Sequence, residues 1–147
     1  MWIQHVPYDE AQGRLLTLYD RVKGADNNVD NIMLAHSLRP HSMEGHMALY
    51  KHVLHHASNT TPKWFLETIG VYVSHLNACA YCVEHHFAGL KRLLGDDVRA
   101  QRLRAALEAD PQASPAFDAA QAAALAYARS LTQTPHDGAA LQAHVSN

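Results

Sequence analysis

Lys63-Trp64-Phe65-Leu66-Glu67-Thr68-Ile69-Gly70-Val71-Tyr72-Val73-Ser74-His75-Leu76 is the densest apolar stretch of the chain. Its β-branched residues (Ile69, Val71, Val73) are compatible with a strand. Its length and its opening decide for a buried helix, because strands run shorter and Thr61-Pro62 reads as a helix start. Thr61 is a natural N-cap and Pro62 a natural first helical residue. Downstream, Asn77 is placed to interrupt this helix and to cap a second one over Ala78 to Leu94, ended by Gly95.

The same reading extends to both sides. Asp9 to Val22 carries Leu15, Leu16, Leu18, Tyr19 and Val22 at helical spacing, with Gly24 as the stop. Ala25 to Val29 reads as a polar turn and Asp30 to Ser37 as a short helix before Pro40. Ser42 to His56 sets Met43, Met47, Leu49, Tyr50, Val53 and Leu54 on a broad apolar stripe. Asp96 or Asp97 starts a short helix through Leu107. Asp110 to Ser114 is a loop, Ala116 to Leu131 an alanine-rich helix, and Thr134 to Gly138 a turn. The last nine residues begin a pattern with little left to pack against. Strand signals are scarce, so the expectation is an all-α helical bundle, a single domain over residues 1–147.

Composition narrows the function. Net charge is -2 with no block of like charge, which gives no footprint for nucleic acid or a membrane surface. No apolar run approaches the ~18 residues of a membrane span. Met1-Trp2-Ile3-Gln4-His5 lacks the basic and apolar regions of a signal peptide, which points to the cytoplasm. The 12 histidines equal Lys and Arg combined, so charge should depend strongly on pH between about 5 and 8.

Asn77-Ala78-Cys79-Ala80-Tyr81-Cys82-Val83-Glu84-His85-His86 holds the only two cysteines of the chain. Such a pair in a chain of this kind reads as reactive or metal-binding. On a helix, Cys79, Cys82 and His86 share a face, and His85 turns about 100° away. A disulfide between Cys79 and Cys82 needs only modest adjustment of helical geometry. The N–H groups at a helix start favour a thiolate, which nominates Cys79 as nucleophile. Proton transfer nominates Cys82, one turn from His86, and the residues alone leave both open. The bland alternative is two packed core thiols. The sharper rival is zinc on Cys79, Cys82 and His86 with His75 or His85, although three ligands on one helical face enclose a tetrahedral ion poorly.

Glu67 falls within the apolar stretch. It is either an exposed helical position or a buried carboxylate, and a buried one needs a partner. A histidine such as His86 would serve. The two would form a relay that takes a thiol proton and passes it to a leaving oxygen.

Glu67 followed by Asn77-x-Cys79-x-x-Cys82-x-x-x-His86 resembles the active-site pattern of alkylhydroperoxidase D-like proteins, in the carboxymuconolactone decarboxylase superfamily. The uncharacterised peroxidase-related branch is the nearest fit. Ala11-x-Gly13-x-Leu15 with Leu18-Tyr19, the Pro40 region, and Glu67-x-Ile69-x-Val71-x-Val73-Ser74 carry the likeness over residues 3 to about 134. The resemblance implies an all-α oligomer, a trimer or hexamer, with its site near a subunit interface. It implies a thiol-dependent peroxidase in which Cys82 attacks the peroxide, Cys79 resolves the sulfenic acid, and His86 with Glu67 moves protons. No bound cofactor or metal is implied, since the redox group is the Cys79–Cys82 pair itself. The implied partners are a small peroxide and an external dithiol, such as a lipoyl-bearing protein, which reduces the disulfide.

Two departures stand out. The best understood relatives carry histidine directly before the second cysteine, where this chain has Tyr81. Close relatives also continue through further helices after the turn at Pro135, so the expectation is either that a neighbouring subunit supplies the missing apolar surface or that the chain is a shortened version. True decarboxylases of the superfamily lack the CxxC pair, which argues against that activity. The expected alternatives to a peroxidase are a general disulfide oxidoreductase or redox sensor, and a zinc-binding or structural protein. His36, His41, His46, His52, His55 and His56 form a second cluster, read as a solvated, pH-sensitive face; only His52 and His56 have i,i+4 spacing.

Overall fold

A computed structural model describes residues 3–145. Met1, Trp2, Ser146 and Asn147 lie outside them, so the readings placed on Met1-Trp2 and on the last two residues are not addressed. Among the described residues the chain is all-α, with eight α-helices and no strand. No helix among them is long and apolar enough to cross a membrane. Contacts divide the chain into two compact units, residues 1–58 and 59–147.

The first unit contains α1 (Gly13–Val22), α2 (Asn31–Leu34) and α3 (Pro40–Tyr50), the last widening into a π-helical turn over Lys51–His55. Its core is Ala11, Leu15, Leu18, Tyr19, Val29, Met33 and Met43. The buried Tyr19 hydroxyl is satisfied by donating to the Val6 carbonyl at 2.7 Å. The helix expected from Asp9 starts instead at Gly13, because Ala11 and Gln12 are extended after a 3-10 turn at Tyr8–Glu10. Its stop is Lys23, also extended, rather than Gly24. The helix expected from Ser42 begins two residues earlier, with Pro40 in the first turn where its missing N–H costs nothing. Asp26 and Asn27 adopt left-handed φ of 55° and 57° in the intervening turn, a conformation these two residue types tolerate.

The second unit contains α4 (Lys63–Leu76), α5 (Ala80–Leu94), α6 (Asp97–Ala109), α7 (Ala119–Gln133) and α8 (Gly138–Val145). The decisive apolar stretch is a helix, and α4 packs most extensively on α5. Phe65, Val71, Tyr72, Val83, Phe87, Leu90, Ala100, Leu103, Leu107, Phe117 and Leu125 form one apolar cluster. Burying a side chain of this class contributes roughly 1.5–3 kcal/mol, so this cluster fixes how α4 and α5 face each other.

Helix ends follow local chemistry, with some shifts from expectation. Pro62 is the N-cap of α4, not its first residue: its carbonyl accepts from Phe65 and Leu66 N–H at 2.9 and 3.2 Å. Gly95 ends α5 in the left-handed region at φ 60°, as a C-terminal glycine should. Asp96 caps α6 by accepting from Arg99 N–H at 2.9 Å. The alanine-rich helix starts at Ala119 rather than Ala116, because Asp118 and Gln121 make a reciprocal capping box.

Candidate active site

The segment between α4 and α5 is short. Asn77 closes α4, Ala78 turns the chain at a left-handed φ of 53°, and Cys79 is the N-cap of α5. This corrects the expectation that Asn77 caps a helix beginning at Ala78. The backbone accounts for the difference. Ala78 N–H donates to His75 O at 2.9 Å and Cys79 N–H to Ser74 O at 3.0 Å, so both amides still belong to the end of α4. The Cys79 sulfur takes the N-cap role and accepts from Cys82 N–H at 3.4 Å.

Cys79 and Cys82 form a disulfide, with Cα atoms 5.4 Å apart. That separation lies inside the range a disulfide requires. The bond joins the N-cap to the third residue of α5. Cys82 and His86 lie one turn apart on the same face of α5. Helical side chains lean toward the N-terminus, so the imidazole extends over the turn that carries Cys82.

Glu67 projects from α4 and is 3% exposed. Its partner is His86, whose Nδ1 donates to Glu67 Oε2 at 2.8 Å. The histidine side chain keeps 21% exposure while the carboxylate side chain keeps 4%. With Nδ1 committed to the carboxylate, Nε2 of a neutral imidazole is an acceptor. The pair thus presents a proton acceptor on the Cys82 face of α5, held by a carboxylate that has no other role in view. No buried side-chain nitrogen or oxygen among the described residues lacks a hydrogen-bond partner.

Two glycines make this pairing fit. A Cβ on Gly70 would sit 2.6 Å from His86 Nδ1, and a Cβ on Gly89 would sit 2.9 Å from Glu67 Cδ and Oε1. Gly70 is three residues beyond Glu67 on α4, and Gly89 three beyond His86 on α5. Each polar side chain therefore lies over the glycine of the opposite helix. Glycine inside a helix costs about 1 kcal/mol relative to alanine, so two at matched positions call for a packing reason, and the side chains supply it. Sequence reading passed over both; the signal was a helix-interior glycine three residues past a polar candidate.

Arg104 of α6 was also missed. It donates to Glu84 and Glu108, each at 2.9 Å, and its guanidinium lies 4.9 Å from the Phe87 ring centre. Hydrogen bonds to Glu108 and then Glu84 raise its pKa above the ordinary guanidinium value. His75, Ala78, Cys79, Ala80, Val83, Glu84, Arg104 and Glu108 line a cleft of about 250 Å³.

No protein-family model matches the chain, and no curated protein matches it.

The remaining sequence candidates fall elsewhere. Tyr81 is 43% exposed, with its ring 6.2 Å from that of His85. His85 meets His86 edge-on at 6.0 Å. His75 borders the cleft beside Cys79. In the first unit, His36 shares a hydrogen bond of 2.8 Å with Ser42 and lies 5.1 Å from His46, and His52 stacks on His56 at 5.3 Å. Among the described residues no group of three or more His, Cys, Asp or Glu side chains is arranged to hold a metal ion.

Proposed function

We propose that the protein is a thiol-dependent peroxidase of the alkylhydroperoxidase D-like kind. The observation that carries the reading is the combination on α5: a Cys79–Cys82 disulfide at its start, and one turn on, on the Cys82 face, a histidine held by a buried glutamate.

The proposed cycle gives these groups the roles that the resemblance implies. In the reduced protein the Cys82 thiol gives its proton to His86 Nε2, and Glu67 steadies the imidazolium that forms. The Cys82 thiolate attacks the peroxide oxygen and breaks the O–O bond, which leaves Cys82 as the sulfenic acid and releases an alkoxide. His86 returns the proton to that alkoxide. The Cys79 thiol then attacks the Cys82 sulfur, expels water and restores the disulfide. An external dithiol, oxidised in turn, resets the pair. A reducing compartment such as the cytoplasm suits this cycle, and assembly into trimers or hexamers is the arrangement the resemblance suggests.

A second reading is general disulfide exchange, and one observation favours it. The Cys79 sulfur accepts the Cys82 N–H at the helix start, where a Cys79 thiolate would be stabilised without any peroxide.

The test is thiol titration and intact mass of the reduced protein before and after a stoichiometric amount of alkyl hydroperoxide. The proposal expects loss of both thiols together with the mass of a hydrogen pair. Cys82→Ser is expected to abolish turnover, and Cys79→Ser to leave a trappable sulfenic acid on Cys82. Full turnover by Cys82→Ser would sink the assignment. A disulfide that exchanges with thiols but never forms from peroxide would select the second reading.

A further inference from the structure

Only one of the two disulfide cysteines borders the cleft. Cys79 lines the 250 Å³ cleft with Ala80, Val83, Glu84, Arg104 and Glu108, and Cys82 is not among its lining residues. Glu67 and His86 do not line it either. On the α5 helical wheel, Ala80, Val83 and Glu84 lie on one side, and Cys82, His86 and Gly89 on roughly the opposite side, at about 100° per residue. Cys79, the N-cap that precedes the helix, borders the cleft, and Cys82 lies on the His86 side of the helix.

The charge at the cleft is fixed. Arg104 is tied to both Glu84 and Glu108 and rests on the Phe87 ring. Two carboxylates against one guanidinium leave one net negative charge in the cleft that Cys79 lines.

We propose that this cleft is the port through which an external thiol reduces the disulfide, by attack on Cys79, and that Glu84 and Glu108 bias the port toward uncharged over anionic thiols. The inference rests on the thiol–disulfide part of the function proposed above and not on peroxide turnover. The incoming thiolate uses its lone pair to form a new S–S bond with Cys79. The Cys79–Cys82 bond breaks, and its electron pair leaves on Cys82, which takes up a proton on the His86 side. A second thiolate then attacks the reagent's sulfur in the mixed disulfide. It departs as the oxidised reagent and frees Cys79, whose thiolate the Cys82 N–H can hold.

The test compares reduction of the oxidised wild-type protein by 2-mercaptoethanol and by 3-mercaptopropionate. Rates are taken at pH 8 and low ionic strength, per unit of thiolate. The uncharged reagent is expected to be faster by roughly threefold to tenfold, a preference that fades with added salt. Glu84→Gln with Glu108→Gln leaves the Arg104 guanidinium unopposed and should reverse the preference. Ala80→Trp, at an exposed position in the first turn of α5, should obstruct the port and slow both reagents while the far-ultraviolet circular dichroism stays unchanged. Acid quench, alkylation and peptide mass should place the reagent on Cys79 and the alkyl label on Cys82. A reagent adduct on Cys82, or a reagent preference unmoved by the double variant, would overturn the port. A protein that keeps two free thiols under oxidising conditions would overturn the disulfide reading beneath it.

Discussion

Gly70→Ala probes the pairing of α4 and α5 most directly. Two opposing terms decide the outcome. Alanine is the better helix former by about 1 kcal/mol, which favours the variant. Against it, the new methyl would lie 2.6 Å from His86 Nδ1, 2.8 Å from Cγ and 2.9 Å from Cε1. Carbon contacts settle at about 3.5–4.0 Å, so the ring must retreat by roughly 1 Å. That movement breaks the 2.8 Å hydrogen bond to Glu67, whose carboxylate, 3% exposed, has no solvent to turn to. Stranding a buried polar or charged group costs about 2–4 kcal/mol. The net expectation is destabilisation by about 1–3 kcal/mol, or a melting temperature lower by roughly 3–10 °C. Gly45→Ala in α3 is the control. It makes the same chemical change, nothing lies within 4 Å of its new methyl, and a stabilisation of up to about 1 kcal/mol is expected. Thermal and urea unfolding of both variants, followed by circular dichroism, give the comparison. If Gly70→Ala stabilised the protein as Gly45→Ala does, the tight seating of His86 on α4 would be refuted.

Glu67→Gln keeps the shape of the buried side chain but removes the carboxylate that, in the proposed cycle, steadies the His86 imidazole. Peroxide turnover should fall by about 10²–10⁴-fold, measured beside an unfolding curve close to that of the wild type. Ala78→Gly relieves a left-handed φ of 53°. Such a φ costs a non-glycine residue about 1–2 kcal/mol, and glycine's larger unfolded-state entropy offsets part of the gain. A stabilisation of about 0.5–1 kcal/mol in urea unfolding is expected. His46 has its pKa lowered, first by burial and then by repulsion from His36. The unfolded state therefore binds the proton more readily, and this contribution to stability is present above the unfolded pKa and lost as pH falls through it. His46→Gln should flatten the fall in stability between about pH 7 and 5, and an unchanged slope would count against it.

The all-α character was legible because the Lys63 stretch is too long for a strand and opens with a helix start. Gly95 was legible as a stop, and the start of the next helix as Asp96 or Asp97, because glycine and aspartate have specific backbone roles there. The Glu67–His86 pairing was within reach for a simpler reason: a carboxylate in an apolar helix needs a partner, and the next helix offered a histidine. Other features are hidden in sequence. An alanine at positive φ has no residue-type signal, so the start of α5 shifted from Ala78 to Ala80. Asp118 was passed over because the alanine run after it blurs the helix start, although Asp118 and Gln121 have capping-box spacing. The cleft depends on Arg104 meeting Glu84 across two helices, which no local pattern encodes.

The crossed seating of Glu67 over Gly89 and His86 over Gly70 has a consequence for recognising this site in other chains. Neither polar residue could keep its place if its opposing glycine became larger, so the four positions form one unit of information. Written along the chain, the unit is a glutamate with glycine three residues on, eight intervening residues, a CxxC pair, and after three more a histidine with glycine three residues on. A sequence that carries the whole string can be assigned the buried acid–imidazole contact without coordinates. One that keeps the cysteines, Glu and His but fills either glycine must seat its acid and imidazole differently.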